Sequence, residues 1–327
     1  MKAGWEIKKL SEVCQIRPPK KEVKEILTES DLVSFVPMKT LGINKKYFTV
    51  IENKKLSEVS SSYTYFRDND VLLAKITPCF ENGKLGIAKN LTNGVGFGSS
   101  EYIVYRALDE VNPEYLYYFL NQEEFRVKGK SQMSGAVGHK RITKEFYENS
   151  LLPIPPLPEQ KAIVKILDEA FAKIDQAKAN IEKNIENAKE LYENWSIYEF
   201  TKYKTWTKKK WGDVCDFVRG PFGGSLKKSM FVESGYVVYE QKHAIHNHFN
   251  QLRYFIDEHK FNEMKRFEVK AGDIIMSCSG VTLGRVAVIP EGIPQGIINQ
   301  ALLKLTPKPE MSIDFLKLWL RSPIVSV

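Results

Sequence analysis

The chain has 327 residues, of which 43% are hydrophobic and 27% charged. That is enough apolar material for one to three buried cores. The net charge of +8 allows a nucleic-acid partner without establishing one. No apolar run approaches the ~18 residues of a membrane helix, and the first residues lack the apolar stretch of a signal peptide. The four cysteines lie far apart with no Cys-x-x-Cys pair. This spacing points to reduced thiols in the cytoplasm and argues against a zinc cluster.

The segment Trp5-Glu6-Ile7-Lys8-Lys9-Leu10-Ser11-Glu12-Val13-Cys14 opens a pattern that returns 201 residues later at Trp206, ending on Cys215. A period of domain size means a duplicated domain and not a solenoid. Asp70 to Ala74 reads as a buried strand after a polar turn and matches Asp273 to Ser277. A second, glycine-bearing strand is expected at Lys84 to Ala88, and again at Thr282 to Ala287. The loop between each pair joins base-reading residue types to small residues. It holds Lys75, Thr77, Asn82 and Lys84 in the first copy, and Ser279 and Arg285 in the second. Asn and Lys suit purine edges, and Ser and Thr are tolerant readers. Lys84 and Arg285 suit phosphates equally well, and ordinary hairpin turns would look the same.

Gly94-Val95-Gly96-Phe97-Gly98 precedes a Tyr/Ile/Val strand and no helix. It therefore reads as a turn or bulge and not as a dinucleotide fingerprint. Pro113 to Leu120 reads as a short amphipathic helix with Pro in its first turn, paralleled by Ile313 to Leu320. Ser131 to Thr143 combines glycines with His139, Lys140 and Arg141, a mixture suited to a phosphate or a groove edge. The prolines from Pro153 to Pro158 then enforce an extended entry into a helix with Glu159 at its positive end.

No Gly or Pro interrupts Glu159 to Tyr203. The apolar positions Ile163, Leu167, Ala170, Ile174, Ala177, Ile181, Ala188, Leu191 and Trp195 alternate spacings of four and three, with Asn184 breaking the seam. A helix of roughly 40 residues, about 60 Å long, with so narrow a stripe requires a partner.

In the second copy, Gln241-Lys242-His243 follows a strand and Asn299-Gln300 opens one; Asn and Gln can pair bidentately with adenine. His243, His246, His248 and His259 crowd together without a completing Cys or carboxylate, so a polar loop is preferred to a metal site. Asp257 with Glu268-x-Lys270 has nuclease-like spacing, but the equivalent positions of the first copy carry no carboxylate. No P-loop and no amino-methyltransferase motif is present.

The passage from Lys140-Arg141-Ile142 through Leu152-Pro153-Ile154-Pro155-Pro156-Leu157-Pro158-Glu159-Gln160 to Val164 resembles the specificity (S) subunit of type I restriction–modification systems. The openings at Trp5 and Trp206 and the Gly272-Asp273-Ile274-Ile275 strand agree, so the resemblance covers essentially the whole chain. It implies an α+β (mixed α/β) fold with two target-recognition domains, 1–157 and 204–327, joined by a coiled-coil helix at 158–203. Each domain would read half of a bipartite double-stranded DNA site. The helix would set their spacing and dock methyltransferase (M) subunits, with a restriction (R) subunit as a further partner.

The resemblance further implies a cytoplasmic, non-catalytic chain that holds no cofactor. S-adenosylmethionine, ATP and magnesium would be bound by partner subunits. The sequence departs from the family in stopping before a second long helix after the second repeat; either it is a piece of a longer chain or the natural protein is short, and a homodimer through the unpaired seam is one arrangement that would substitute. The competing reading is a coiled-coil assembly adaptor that binds proteins and not DNA, and a nuclease ranks below both.

Overall fold

The structure, a computed structural model, describes residues 4–50, 52–136, 138–203 and 205–325. Val137, inside the basic loop read from the sequence, and Ser326 and Val327 lie outside the described residues. The chain forms two compact units, Met1–Ala177 and Lys178–Val327.

Ten strands are found among the described residues of the first unit. They are β1 (Glu6–Lys9), β2 (Cys14–Ile16), β3 (Leu32–Val36), β4 (Glu52–Lys55), β5 (Thr64–Arg67), β6 (Val71–Ala74), β7 (Leu85–Ile87), β8 (Val95–Gly98), β9 (Tyr102–Ala107) and β10 (Leu151–Ile154). One sheet runs β2-β9-β6-β7, all antiparallel; a second runs β4-β3-β8-β5, with β3 and β8 parallel; β1 pairs with β10.

The twofold alternation of a strand decides the layering. Val71 and Leu73 of β6 face the helices, meeting Leu116 and Leu120 of the Pro113–Leu120 helix. Leu72 and Ala74 face the other sheet, meeting Val36 and Phe66. The far side of that second sheet, Phe35 and Phe97, is closed by Val23, Leu56 and Val59. Each fully buried Leu or Phe contributes roughly 1.5–3 kcal/mol against unfolding.

The second unit repeats this plan with β11 (Cys215–Arg219), β12 (Tyr236–Tyr239), β13 (Phe255–Ile256), β14 (Ile274–Ser277), β15 (Val286–Val288), β16 (Gly296–Ile298) and β17 (Leu302–Pro307). The orders β11-β17-β14-β15 and β13-β12-β16 copy the two first-unit sheets, including a parallel β12–β16 pair. The first unit's β5 is reduced to a single bridge between Glu268 and Ile297.

Two sequence readings need correction. Gly94 to Gly98 is not a turn or bulge. After a short turn it is β8, the buried strand paired with β3 and β5. Its glycines make room: a Cβ at Gly96 would sit 2.2 Å from the Phe66 ring, and one at Gly98 would sit 2.4 Å from the Val36 carbonyl oxygen. Gly284 is not a strand glycine matching Gly86. It stands at φ +73° in the turn before β15, as Gly83 stands at φ +75° before β7. The true partner of Gly86 is Ala287, since each lies opposite the second residue of its neighbouring strand.

The Leu157–Thr201 helix begins in the first unit and ends in the second. Its first turns are fastened to the first unit. Gln160 is buried, accepts from the Asn112 amide at 2.8 Å, and donates to the Glu110 and Pro155 carbonyls at 2.8 Å. Asp168 accepts from Lys46 at 2.6 Å and from the Tyr118 hydroxyl, and Phe171 stacks on the Tyr118 ring. Ile163 and Leu167, placed on the free seam by the sequence, are partly covered here beside Tyr115, Tyr118 and Phe119. The seam is open further on, where Ala170, Ala177 and Ala188 are exposed beside Ile174, Ile181, Leu191 (71% exposed) and Trp195. In the second unit, Phe200 packs edge-on against Phe315 and Trp319.

Candidate nucleic-acid interface

In an antiparallel sheet, the ends of alternate strands share one edge with the starts of their neighbours. That edge of the first unit collects the loops after β2, β3, β6 and β8. The loop after β6 begins with Lys75, whose amide donates to the Glu101 carbonyl at 2.9 Å. Its ammonium donates to the Ser100 carbonyl at 3.0 Å, and burial lowers its pKa. The basic loop is zipped onto the same place. Thr77 N donates to Lys140 O at 2.9 Å, Ile142 N donates to Lys75 O at 3.0 Å, and Ser134 bridges Arg141.

The first-unit candidates divide accordingly. His139 and Lys140 are exposed in the basic loop, and Asn82 is exposed on the neighbouring loop. Thr77 is half-buried, its hydroxyl donating to Met133 Sδ at 3.7 Å. Lys84 turns inward, donating to the Met38 carbonyl at 2.8 Å. Arg141 is held by both oxygens of Glu101, at 3.0 and 2.7 Å. The hydrogen bonds from Arg141 hold the Glu101 carboxyl below its ordinary pKa. Sequence reading missed Arg17. It is exposed at φ +56° just beyond β2, and its charge reaches Lys75. An isolated arginine after a strand carries no motif by which it could have been found.

The matching edge of the second unit gathers residues far apart in sequence. Gln241 donates to the Ser279 carbonyl at 2.5 Å, and Cys278 N donates to Ala301 O at 2.9 Å. Asn299 does not open a strand. It lies in the turn between β16 and β17, its side chain accepting from the Ala301 amide at 3.0 Å. Lys242 lies 3.2 Å from Glu240, and Arg285 is exposed. Sequence reading missed Phe222, which is 61% exposed, with the Arg219 guanidinium 4.8 Å from its ring centroid. Gly220 permits this loop to pass, because a Cβ there would lie 1.9 Å from the Asn299 carbonyl oxygen.

His243 leaves the set of candidate contacts. It is 1% exposed; its Nδ1 accepts from the Glu240 amide at 2.8 Å and its ring stacks on Phe249. Burial lowers its pKa, and the ring packs as part of the core. Among the described residues no cluster of His, Cys, Asp and Glu could hold a metal ion. The nuclease-like pair also dissolves into two structural tasks. Asp257 caps the Glu258–Glu263 helix, accepting from Lys260 N at 2.7 Å, while Glu268 accepts from Gln295 at 2.6 Å.

The scaffold is doubled, and its two copies carry unlike loops on the same edge. The family model for the type I restriction modification DNA specificity domain matches residues 2–187, and the chain belongs to that family. It is 33% identical over 211 residues to the type I restriction enzyme EcoAI specificity subunit of Escherichia coli, covering 59% of this chain and 35% of that one. The EcoEI specificity subunit is 35% identical over the same shares. This chain therefore spans about a third of the length of these two curated relatives. The MjaVIII specificity subunit of Methanocaldococcus jannaschii is 23% identical over 91% of this chain and 69% of its own.

Two solved structures share the fold. One is from work on complex assembly and conformational transition of the type I R-M system (TM-score 0.77, 18% identity, 99% of this chain and 81% of that one). The other is the HsdS subunit from Thermoanaerobacter tengcongensis (TM-score 0.62, 18% identity, 98% and 79%).

Proposed function

We propose that the chain is the DNA-recognition subunit of a type I restriction–modification complex, with domains 1–157 and 204–327 each reading half of a bipartite site. The carrying observation is that equivalent sheet edges present non-equivalent loops, with Asn82, His139 and Lys140 exposed on one and Phe222 and Arg285 on the other. The helix at 158–203 would set the spacing and offer its exposed seam to methyltransferase subunits, with a restriction subunit joining them. A second copy of the chain is the other occupant that an apolar seam accommodates. Methylation and cleavage, with their S-adenosylmethionine, ATP and magnesium, would belong to those partners, and the complex would act in the cytoplasm.

Affinity would come from cations meeting phosphates and would fall with salt, while loop side chains read base edges. The test is co-expression with a methyltransferase subunit and mapping of methylated sites by sequencing. Replacing Thr77 to Gly83 with a foreign loop is expected to change one half-site and leave the other intact. Unchanged sites would remove that loop from base reading. Failure to retain random duplex at low salt would favour the assembly adaptor.

A further inference from the structure

We propose that Arg141 is a positioning residue, not a phosphate contact. Clamped by Glu101, it would hold His139 and Lys140 in place to meet the DNA backbone. The inference rests on the DNA-binding reading above and assigns parts within it.

Three of the five guanidinium N–H groups already have protein acceptors, and they fix its orientation. Nε and Nη2 of Arg141 take the two Glu101 oxygens at 3.0 and 2.7 Å, and Nη1 donates to the His139 carbonyl at 2.9 Å. A bidentate pair of this kind holds direction as well as charge. The backbone beside it is tied on two sides. Arg141 N donates to Ser134 O at 2.8 Å, Ser134 N donates to Arg141 O at 3.0 Å, and the Lys140 carbonyl accepts from Thr77 N. Gly135 closes the turn at φ +119°, and a Cβ there would stand 3.0 Å from the His139 oxygen. Glu101 is itself a fixed anchor, because its carbonyl accepts from the Lys75 amide.

Charge leads to the same assignment. A bare carboxylate on a phosphate-facing edge would repel DNA. With Arg141 on it and the Lys75 ammonium 3.9 Å away its charge is matched locally, leaving Lys140 exposed beside it. If Arg141 turned to a phosphate, Glu101 would face the polyanion with only the longer Lys75 pair, at 3.9 Å, to offset it.

Duplex binding by the full chain, titrated with salt, decides the matter through the sign of one variant. The clamp predicts that E101A weakens binding although it removes a negative charge. R141A should weaken it by a similar factor, roughly tenfold as for a lost charge-assisted hydrogen bond. The double variant should be no worse than either single one. The salt slope should be unchanged in R141A and reduced by about 0.9 in K140A, the value of one phosphate contact. R141K keeps the charge but loses the fork, so it should not rescue. Amide exchange at Ser134 and Arg141 should quicken in E101A with the unfolding transition unmoved, which separates a loosened loop from a misfolded chain. Tighter binding by E101A, or a smaller slope in R141A restored by R141K, would overturn the assignment while leaving the DNA reading intact. No salt-dependent binding by the wild-type chain would overturn both.

Discussion

Asp70 and Asp273 occupy the same place in the two units, just before β6 and β14, and both are buried. Each accepts from the amide three residues earlier, Arg67 N at 2.9 Å and Lys270 N at 2.8 Å. The scaffold therefore requires an acceptor there to hold the turn. What faces the rest of the carboxylate differs. In the first unit Arg106 of β9 donates to Asp70 at 2.9 and 2.8 Å and to Glu22 at 2.7 Å. In the second unit the corresponding residue of β17 is Thr306, whose hydroxyl donates to Asp273 at 2.6 Å. Burial holds the Asp70 carboxyl above its ordinary pKa even with Arg106 beside it. One geometry is thus met by an ionic network in one copy and by a neutral hydroxyl in the other. The copies share backbone demands, not side-chain chemistry.

The largest effect expected from this contrast comes from R106A. It strands a buried carboxylate beside Glu22, and about 3–5 kcal/mol of stability should be lost. T306V removes one neutral donor and should cost about 1–3 kcal/mol. Urea unfolding of the full chain, with amide exchange reporting each unit separately, checks both. Equal losses would mean that the hydroxyl and the ionic network do equivalent work.

A smaller effect tests the parallel strand pairs. Gly96 in β8 and Gly296 in β16 are equivalent, each facing the middle of its parallel partner, opposite Ser34 and Val237. A Cβ at Gly96 meets the Phe66 ring, whereas at Gly296 it would lie 2.1 Å from the Val237 carbonyl oxygen. A ring can rotate away but a strand backbone cannot. G296A should therefore fall at the upper end, and G96A at the lower end, of the about 1–3 kcal/mol typical of overpacking. The reverse order would show that Phe66 is the less yielding neighbour.

The duplication, the paired strands and the long helix were legible because each writes a period into the sequence. Val71 to Ala74 and Ile274 to Ser277 announce themselves as apolar runs after turns. The edges were less legible, because their chemistry depends on partners remote in the chain. Nothing near Arg141 indicates that Glu101, 40 residues earlier, takes its fork. Nothing in Gln241-Lys242-His243 says that the first donates to Ser279 while the third is buried under Phe249. Glycines misled where turn and strand use the same residue for opposite reasons. Gly284 supplies positive φ, while Gly96 supplies room. Ile163 and Leu167 fit the heptad, but spacing cannot tell which positions the helix's own domain covers.

The smallest effect concerns the caps of the equivalent short helices. Asn112 accepts from two amides, Glu114 N at 2.8 Å and Tyr115 N at 3.0 Å, and its own amide is held by buried Gln160. Among the described residues, Ser312 accepts from one amide, Phe315 N, at 3.3 Å. Removing a cap costs about 0.5–2 kcal/mol, so N112A belongs near the upper end and S312A near the lower. The distinction has a mechanical meaning. Gln160 lies in the first turns of the long helix, so the Asn112 cap and the helix joint share one residue. N112A keeps the backbone amide that Gln160 takes, so it should free the Tyr115 amide to exchange without releasing the long helix. Amide exchange at Tyr115 and at Val164 reads the two events apart. Faster exchange at both would show that cap and joint open together, as a single cooperative element of the first unit.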